Sequence, residues 1–174
     1  MNFNLREAIE VLERTPLSVE SLLSGLSEGW LQGNEGEDTW NAVQVVDHLI
    51  EGERSNWMPR LAHILREGES SPFPPFDRFA HLQAGGDQTL AEKLQAFREM
   101  RSRNLARLRE LAEQGLPLER TGCHPAFGVV KVRELLSTWV AHDMTHVAQI
   151  ARVIAHRYRE DVGPWIAYLG ILNK

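Results

Sequence analysis

Three histidines have the residue type, spacing and surroundings of metal ligands. His142 and His146 are four residues apart in a segment with helical periodicity. Four residues of an α-helix turn through about 400°, so the two imidazoles lie within about 40° of each other and about 6 Å apart along the axis. His48 lies in a second helical segment, also among apolar residues. The sequence therefore predicts an inward-facing set formed by His48, His142 and His146. Such a set either holds a divalent metal with open positions or consists of core histidines satisfied by hydrogen bonds.

Carboxylates near these histidines leave more than one interpretation open. Glu53 follows His48 by five residues, about 140° round a helix. It is a candidate general base or a hydrogen-bond partner for a ligand, or it forms a salt bridge. Glu51 is nearer the face of His48. Asp143 is turned about 100° away from its neighbour His142, which predicts a hydrogen-bond partner within the bundle. No proton-transfer residue follows from these positions.

Other polar residues have simpler interpretations. Cys123 lies beside His124 and is a candidate nucleophile, but adjacency in sequence does not make a catalytic pair, and we interpret the thiol as structural or incidental. His124, which precedes Pro125, is expected to order its loop. His63, His81 and His156 are expected at the surface. A basic cluster interleaved with acids is expected on the solvated face of the third helix; it consists of Arg98, Arg101, Arg103, Arg107 and Arg109.

The elements that must position these residues are helices. Apolar residues recur at helical spacing in four long segments. These segments are residues 5–26, 39–66, 89–114 and 130–158. Thr15-Pro16 predicts a kink or restart in the first segment, Thr39 is a plausible N-cap of the second, and Pro59 is expected to kink the second.

Two loops connect the segments. Residues 68–88 are long enough to cross the bundle, and Phe73, Phe76 and Phe79 indicate that they cover it, form a wall over a pocket, or do both. Residues 115–128 form the second loop. Strand signals are weak and limited to residues 127–130 and the C-terminal tail. The pattern predicts an all-α, antiparallel four-helix bundle, with residues 1–174 as a single domain.

Composition narrows the possible partners. The chain has 174 residues, 43% of them hydrophobic, and a net charge of −5. This charge argues against nucleic acid or an anionic membrane as the main partner. No apolar run reaches the ~18–20 residues of a membrane span, and the N-terminus lacks the features of a secretory signal. One cysteine excludes an internal disulfide and fits a cytoplasmic location.

Three motifs in order give the sequence a family resemblance. They are DTWNAVQVVDHLIEGE at residues 38–53, HPAFG at residues 124–128 and HDMTHVAQIAR at residues 142–152. Together they resemble the DinB-like family, related to the YfiT-like metal-dependent hydrolases. The resemblance places His48, His142 and His146 on the family's metal-binding triad, with zinc or nickel as the metal. It also implies a four-helix bundle whose second and fourth helices are neighbours, with residues 68–88 crossing between helices two and three.

The resemblance also implies a function. Relatives include transferases and isomerases that use low-molecular-weight thiols such as bacillithiol and mycothiol. By analogy, we expect a small-molecule substrate that is attacked by a metal-activated thiolate, with hydrolysis as the second possibility. The alternative is a non-catalytic, metal-binding, stress-associated interaction module. Relatives are commonly homodimers, and the apolar tail from Trp165 to Leu172 could supply part of a two-fold interface.

Overall fold

Long helices and one short hairpin make up the computed structural model, which describes residues 2–83 and 88–173. Within those residues the α-helices are α1 (Leu5–Leu23), α2 (Glu28–Leu31), α3 (Ala42–Glu51), α4 (Trp57–Glu67), α5 (Ala80–Gln83), α6 (Leu90–Glu113) and α7 (Val132–His156). The strands are β1 (Thr121–His124) and β2 (Gly128–Lys131), and two 3₁₀ turns, Gly163–Tyr168 and Gly170–Leu172, follow α7.

Capping residues determine where two of the long helices begin. The Asn41 side chain accepts a hydrogen bond from the Gln44 backbone, and the Gln44 side chain accepts one from the Asn41 backbone, both at 2.9 Å. This reciprocal box starts α3 after Asn41 rather than at Thr39, the predicted cap. The Thr39 hydroxyl instead donates to the Gly36 carbonyl in the preceding loop, at 2.7 Å. Thr89 caps α6 where the sequence predicts a start.

A π-helical turn, Gly52–Asn56, joins α3 to α4 and makes them one long second helix. The Trp57 amide bonds the Gly52 carbonyl, five residues back instead of four. The Glu53 carbonyl accepts from the Asn104 side chain at 2.9 Å. The interruption therefore precedes Pro59, where we expected a kink. Pro59 is the third residue of α4 and follows the last residue of the π-helical turn by three residues.

Pro16 interrupts the hydrogen bonds of α1 without ending the helix. A proline at this position has no amide hydrogen to give the Leu12 carbonyl, four residues earlier. The guanidinium of Arg101 donates to that carbonyl at 2.7 Å, so a side chain from α6 replaces the lost bond. The restart expected at Thr15-Pro16 is thus a continuous helix with one substituted hydrogen bond.

The four long helices pack in a ring in which chain neighbours are not spatial neighbours. α1 contacts α6 and α7, and the second long helix also contacts α6 and α7. The first helix therefore lies diagonally across from the second, and the third diagonally across from the fourth. The predicted adjacency of the second and fourth helices is confirmed, and it brings the segments that contain His48 and His142 together.

The bundle core consists of two apolar clusters. One cluster includes Leu12, Trp57, Leu105 and Trp139, and the other includes Val19, Ile50, Phe97 and Ile150. On all four long helices, buried polar residues lie between the two clusters in sequence. They are Thr15 on α1, Glu53 and Asn56 on the second long helix, Arg101 on α6, and Asp143 and His146 on α7. A polar layer thus crosses the middle of the core.

The loop that follows α4 packs against the β-hairpin. The Phe73 amide donates to the Cys123 carbonyl at 2.9 Å, and Pro72 forms an isolated bridge with Cys123. In the hairpin, Gly122 pairs with Val130. A Cβ on Gly122 would lie 2.7 Å from Ile64 Cγ1, so only glycine allows this approach to α4. The weak strand signal at residues 127–130 thus marks β2, whereas the tail forms 3₁₀ turns.

The C-terminal segment returns to the bundle. Leu172 is buried against it, and its carbonyl accepts a hydrogen bond from Arg159. The aromatic rings of Trp165 and Tyr168 stay exposed. Among the described residues, no helix combines the length and apolar character needed to cross a bilayer.

Candidate metal centre

The nitrogens of His48, His142 and His146 converge where the second long helix meets α7. The Nε2 atoms of His48 and His142 are 3.1 Å apart, and those of His142 and His146 are 3.2 Å apart. One ligand atom from each histidine lies within 4.8 Å of the others. His48 and His146 are buried and His142 is half-buried. The structure therefore brings the three predicted residues together.

These distances fit the coordination sphere of a transition-metal ion. Two imidazole nitrogens bound at 2.0–2.1 Å in tetrahedral geometry are about 3.3 Å apart. The observed separations of 3.1 and 3.2 Å are close to that spacing. Three histidine donors also suit zinc and nickel. The arrangement is able to hold a divalent ion with at least one position left for a further ligand, and the role of these residues as ligands remains a prediction.

The protonation of the cluster favours metal binding. Gln149 Oε1 lies 2.8 Å from His146 Nδ1, so Nδ1 donates and Nε2 keeps its lone pair. Burial lowers the pKa of His146, while the hydrogen bond to Gln149 opposes that change. Burial, followed by the charges of His146 and His48, lowers the pKa of His142 to about 3. Neutral imidazoles are the form that binds a metal.

A cavity of about 710 Å³ opens over the histidines. The Trp40 ring is 4.8 Å from the His48 ring and stacks at 6.2 Å on His146. The Trp57 ring meets His142 edge-on at 5.0 Å. The loop phenylalanines also line the cavity, so the crossover forms a wall over a pocket; they are Phe73, Phe76 and Phe79. This apolar lining lowers the local dielectric constant around the cluster.

The carboxylates of the polar layer are engaged with Arg101 rather than with the histidines. Arg101 Nη1 donates to Asp143 Oδ2 at 2.6 Å, and Nη2 donates to Glu53 Oε1 at 2.8 Å. Glu53 also accepts from Trp139 Nε1 at 3.1 Å and from Asn104 at 2.9 Å. Of the interpretations left open for Glu53, the structure supports the salt bridge. Asp143 is the predicted hydrogen-bond partner within the bundle.

The prediction that all five arginines of the basic cluster lie on a solvated face is wrong for Arg101, which is buried. Its side chain is 2% exposed and lies over the rings of Phe97 and Trp139, at 5.1 and 5.2 Å. Burial alone would lower the pKa of Arg101, but the charges of Asp143 and Glu53 outweigh this effect and raise it. The other four arginines of that cluster are exposed, as expected. The spacing of the arginines in the sequence did not indicate that Arg101 is the one whose side chain turns inward.

The other cysteine and histidine candidates from the sequence lie outside the histidine cluster where the structure describes them. Cys123 pairs within the hairpin and has no contact with the histidine cluster among the interactions of the described residues. His124 Nδ1 accepts from the Ala126 and Phe127 amides, which confirms that it orders its loop. His63 is buried, not exposed, and donates to the Ser71 carbonyl at 3.0 Å. The side chain of His81 lies outside the described residues.

Sequence reasoning missed two residues at the site. Gln149 orients His146, and its position three residues later on one helix face is the signal that could have identified it. Arg60 also lines the cavity. It has no comparable signal, because its position depends on the π-helical turn and the folding of the crossover loop.

Comparisons with known proteins agree with this fold. The structure is similar to that of YfiT from Bacillus subtilis, described as a probable metal-dependent hydrolase with an unusual four-helix bundle topology. The TM-score is 0.73 at 22% sequence identity, and the match covers 88% of this chain and 87% of that one. A comparison with curated proteins finds no match.

The family is established by sequence as well as by fold. The sequence profile of the DinB superfamily matches residues 12–150, most of the chain. This range includes His48, His142 and His146 and most of each of the four long helices whose ring order brings them together. The chain belongs to the DinB superfamily.

Proposed function

We propose that this chain is a metal-dependent enzyme that holds one zinc or nickel ion with His48, His142 and His146 and transfers a low-molecular-weight thiol to an electrophilic small molecule. One observation carries the proposal: three Nε2 atoms, two pairs of them 3.1 and 3.2 Å apart, lie at a cavity of about 710 Å³. A buried metal site without a function in binding or catalysis would not need such an opening.

A divalent ion held at this site would stabilise the deprotonated form of a thiol or water and would polarise an electrophilic oxygen. The protein supplies the surroundings. Gln149 fixes the ring orientation of His146, and the rings of Trp40 and Trp57 pack against His146 and His142. In the transfer, a carbon–sulfur bond forms, the bond to the leaving group breaks, and the thiol proton goes to solvent.

Hydrolysis is the second candidate. The description of YfiT as a probable metal-dependent hydrolase supports it, because that protein shares this fold. In that reaction water replaces the thiol as the nucleophile. In the described residues, the buried carboxylates Glu53 and Asp143 are both held by Arg101, so neither is an available general base beside the histidines.

Turnover assays distinguish the two reactions. We would combine the zinc- or nickel-loaded protein with a panel of thiols, including cysteine, glutathione, bacillithiol and mycothiol, and with 1-chloro-2,4-dinitrobenzene as electrophile. Esters of p-nitrophenol without thiol test hydrolysis. We expect thiol-dependent turnover that EDTA abolishes and that His142→Ala loses. His156→Ala, on the same helix but outside the cluster, serves as the control. Ester cleavage without thiol supports the hydrolase instead, and no metal-dependent turnover of either kind contradicts both.

A further inference from the structure

Arg60 is a cation in the cavity that has no acidic partner among the described residues. It projects from α4, is half-buried, and lies over the rings of Phe73 and Phe76, at 5.3 and 6.0 Å. In the described part of the chain, no carboxylate lies within 4.0 Å of its guanidinium. Burial lowers the pKa of Arg60, the direction expected for a charge removed from water without compensation. A half-buried, unpaired guanidinium favours an anion from outside the chain.

His124 presents a second donor beside Arg60. Its Nδ1 accepts from the Ala126 and Phe127 amides, at 3.1 and 3.3 Å. A neutral imidazole that accepts at Nδ1 has its hydrogen on Nε2. Burial, followed by the charge of Arg60, lowers the pKa of His124 and keeps the ring neutral at pH 7. His124 Nε2 lies 3.5 Å from Arg60 Nη1, so two N–H groups face each other with no acceptor between them.

We propose that Arg60 and His124 form a subsite for a carboxylate of the substrate, whose apolar body extends along Phe76 toward the histidine cluster. One carboxylate oxygen could accept from His124 Nε2 and the other from Arg60. The Phe76 ring lies 6.2 Å from the His48 ring and 6.0 Å from Arg60, so it separates the two sites by one aromatic ring. This inference deepens the proposed function, on which it rests, because it assigns the substrate class for the same cavity.

The charges of the cavity favour a monoanion. Arg60 and Arg78 are the two arginines that line the cavity in the described part of the chain, and the His124 donor is neutral. Glu35, Asp38 and Glu134 also line the cavity, and the chain carries a net charge of −5. These charges disfavour a phosphate dianion more than a carboxylate. The planar guanidinium also matches the geometry of a carboxylate.

Binding of a matched acid and amide tests the subsite. We would measure the affinity of 3-phenylpropionate and of 3-phenylpropionamide by calorimetry, with both the metal-loaded and the EDTA-treated full-length protein. The wild type should bind the acid about 10-fold or more tightly than the amide. Arg60→Gln should weaken binding of the acid by about 10- to 100-fold, as expected for loss of a charged hydrogen bond, and leave binding of the amide unchanged. Unchanged amide binding also shows that the variant retains its cavity.

Arg78→Gln is the matched control, because Arg78 lines the same cavity but is exposed. It should retain the preference for the acid. Equal affinity of the wild type for acid and amide, or a preference retained in Arg60→Gln, would overturn the subsite. Tighter binding of phenyl phosphate than of the acid would assign the site to phosphate and also overturn it. An acid preference in the EDTA-treated protein without metal-dependent turnover would support the subsite and contradict only the proposed enzyme.

Discussion

Each histidine of the cluster must keep one ring nitrogen available for a ligand bond, and for His146 this depends on Gln149. The Gln149 carbonyl oxygen accepts from Nδ1 at 2.8 Å, which fixes the tautomer with Nε2 facing the other histidines. Without this acceptor, the proton can move to Nε2, where it competes with the metal. We therefore expect Gln149 to influence metal affinity through the tautomer and orientation of His146.

Substitution of Gln149 by leucine should weaken binding of zinc about 10- to 100-fold, the usual cost of losing a hydrogen bond that orients a ligand. Competition with a chromophoric chelator measures this affinity. Gln95→Leu is the control, because Gln95 is an exposed glutamine on α6. Equal zinc affinity in Gln149→Leu and in wild type would show that Gln149 does not orient the ligand.

The buried histidines also predict how stability depends on pH. Burial and the charges of His146 and His48 lower the pKa of His142 to about 3 in the folded protein, whereas the unfolded chain titrates near 6.5. Protons therefore bind preferentially to the unfolded chain below pH 6.5. The free energy of unfolding of the EDTA-treated protein should fall as the pH falls from about 6.5 toward 5.

Urea unfolding of the EDTA-treated protein at several pH values, followed by circular dichroism, measures this loss. His142→Asn removes one of the responsible groups, so its stability should depend less on pH over the same range. A wild-type free energy of unfolding that stays constant between about pH 7 and 5 would contradict the prediction.

At the residue scale, the sequence predicted the histidines better than the arginines. Spacing alone places His142 and His146 on one helix face, and apolar neighbours indicate that His48 turns inward. Arg101 lies among four other arginines of similar spacing, and only the folded chain brings it between Glu53 and Asp143. Long-range charge pairing between helices is not encoded in local periodicity, so this part of the core could not be predicted.

At the scale of the elements, side chains of α6 donate hydrogen bonds to backbone carbonyls at irregular points of two other helices. Arg101 donates to the carbonyl that Pro16 leaves without a partner in α1. Asn104, three residues later, donates to the Glu53 carbonyl at the π-helical turn. Because residues three apart share a helix face, the same side of α6 provides both hydrogen-bond donors. Through Asp143, the same arginine also reaches α7, the helix that contributes two of the three histidines.

Arg101→Met should destabilise the fold by about 3–5 kcal/mol, because it leaves two carboxylates buried without their cation. Arg103→Met, at an exposed position of the same helix, should change stability by about 0.5 kcal/mol or less. Urea unfolding at neutral pH measures both. A difference of less than about 1 kcal/mol between the two variants would mean that the polar layer contributes little to the fold.

Element types were easier to predict than element boundaries. The periodicity identified all four long helices, and Thr89 marked the start of α6. The start of α3 was predicted two residues early, since Asn41 with Gln44 forms a better cap than Thr39. The π-helical turn has no signature in hydrophobic spacing. Its bonds depend on contacts with α6, which cannot be seen in the segment alone.

At the scale of the whole molecule, the tail leaves aromatic surface uncovered. Trp165 is 69% exposed and Tyr168 is 87% exposed, while Leu172 is buried against the bundle. An exposed apolar patch of this kind is typical of an interface. We propose that it contributes to a homodimer, as the family resemblance implies.

Light scattering at micromolar concentration should give about twice the chain mass of 19.8 kDa. Replacing Trp165 and Tyr168 by serine should shift the protein toward the monomer, with Tyr158→Ser as a control at another exposed aromatic position. A wild-type mass equal to that of one chain would contradict the dimer.

The ring order of the helices has one consequence for function: it brings His48 and the two histidines of α7 to one point. Elemental analysis of the purified protein tests this most directly. We predict about one divalent transition metal per chain in wild type and in the His156→Ala control, and well below one in His48→Ala, His142→Ala and His146→Ala. Equal metal content in all five proteins would contradict the assignment of the three histidines as its ligands.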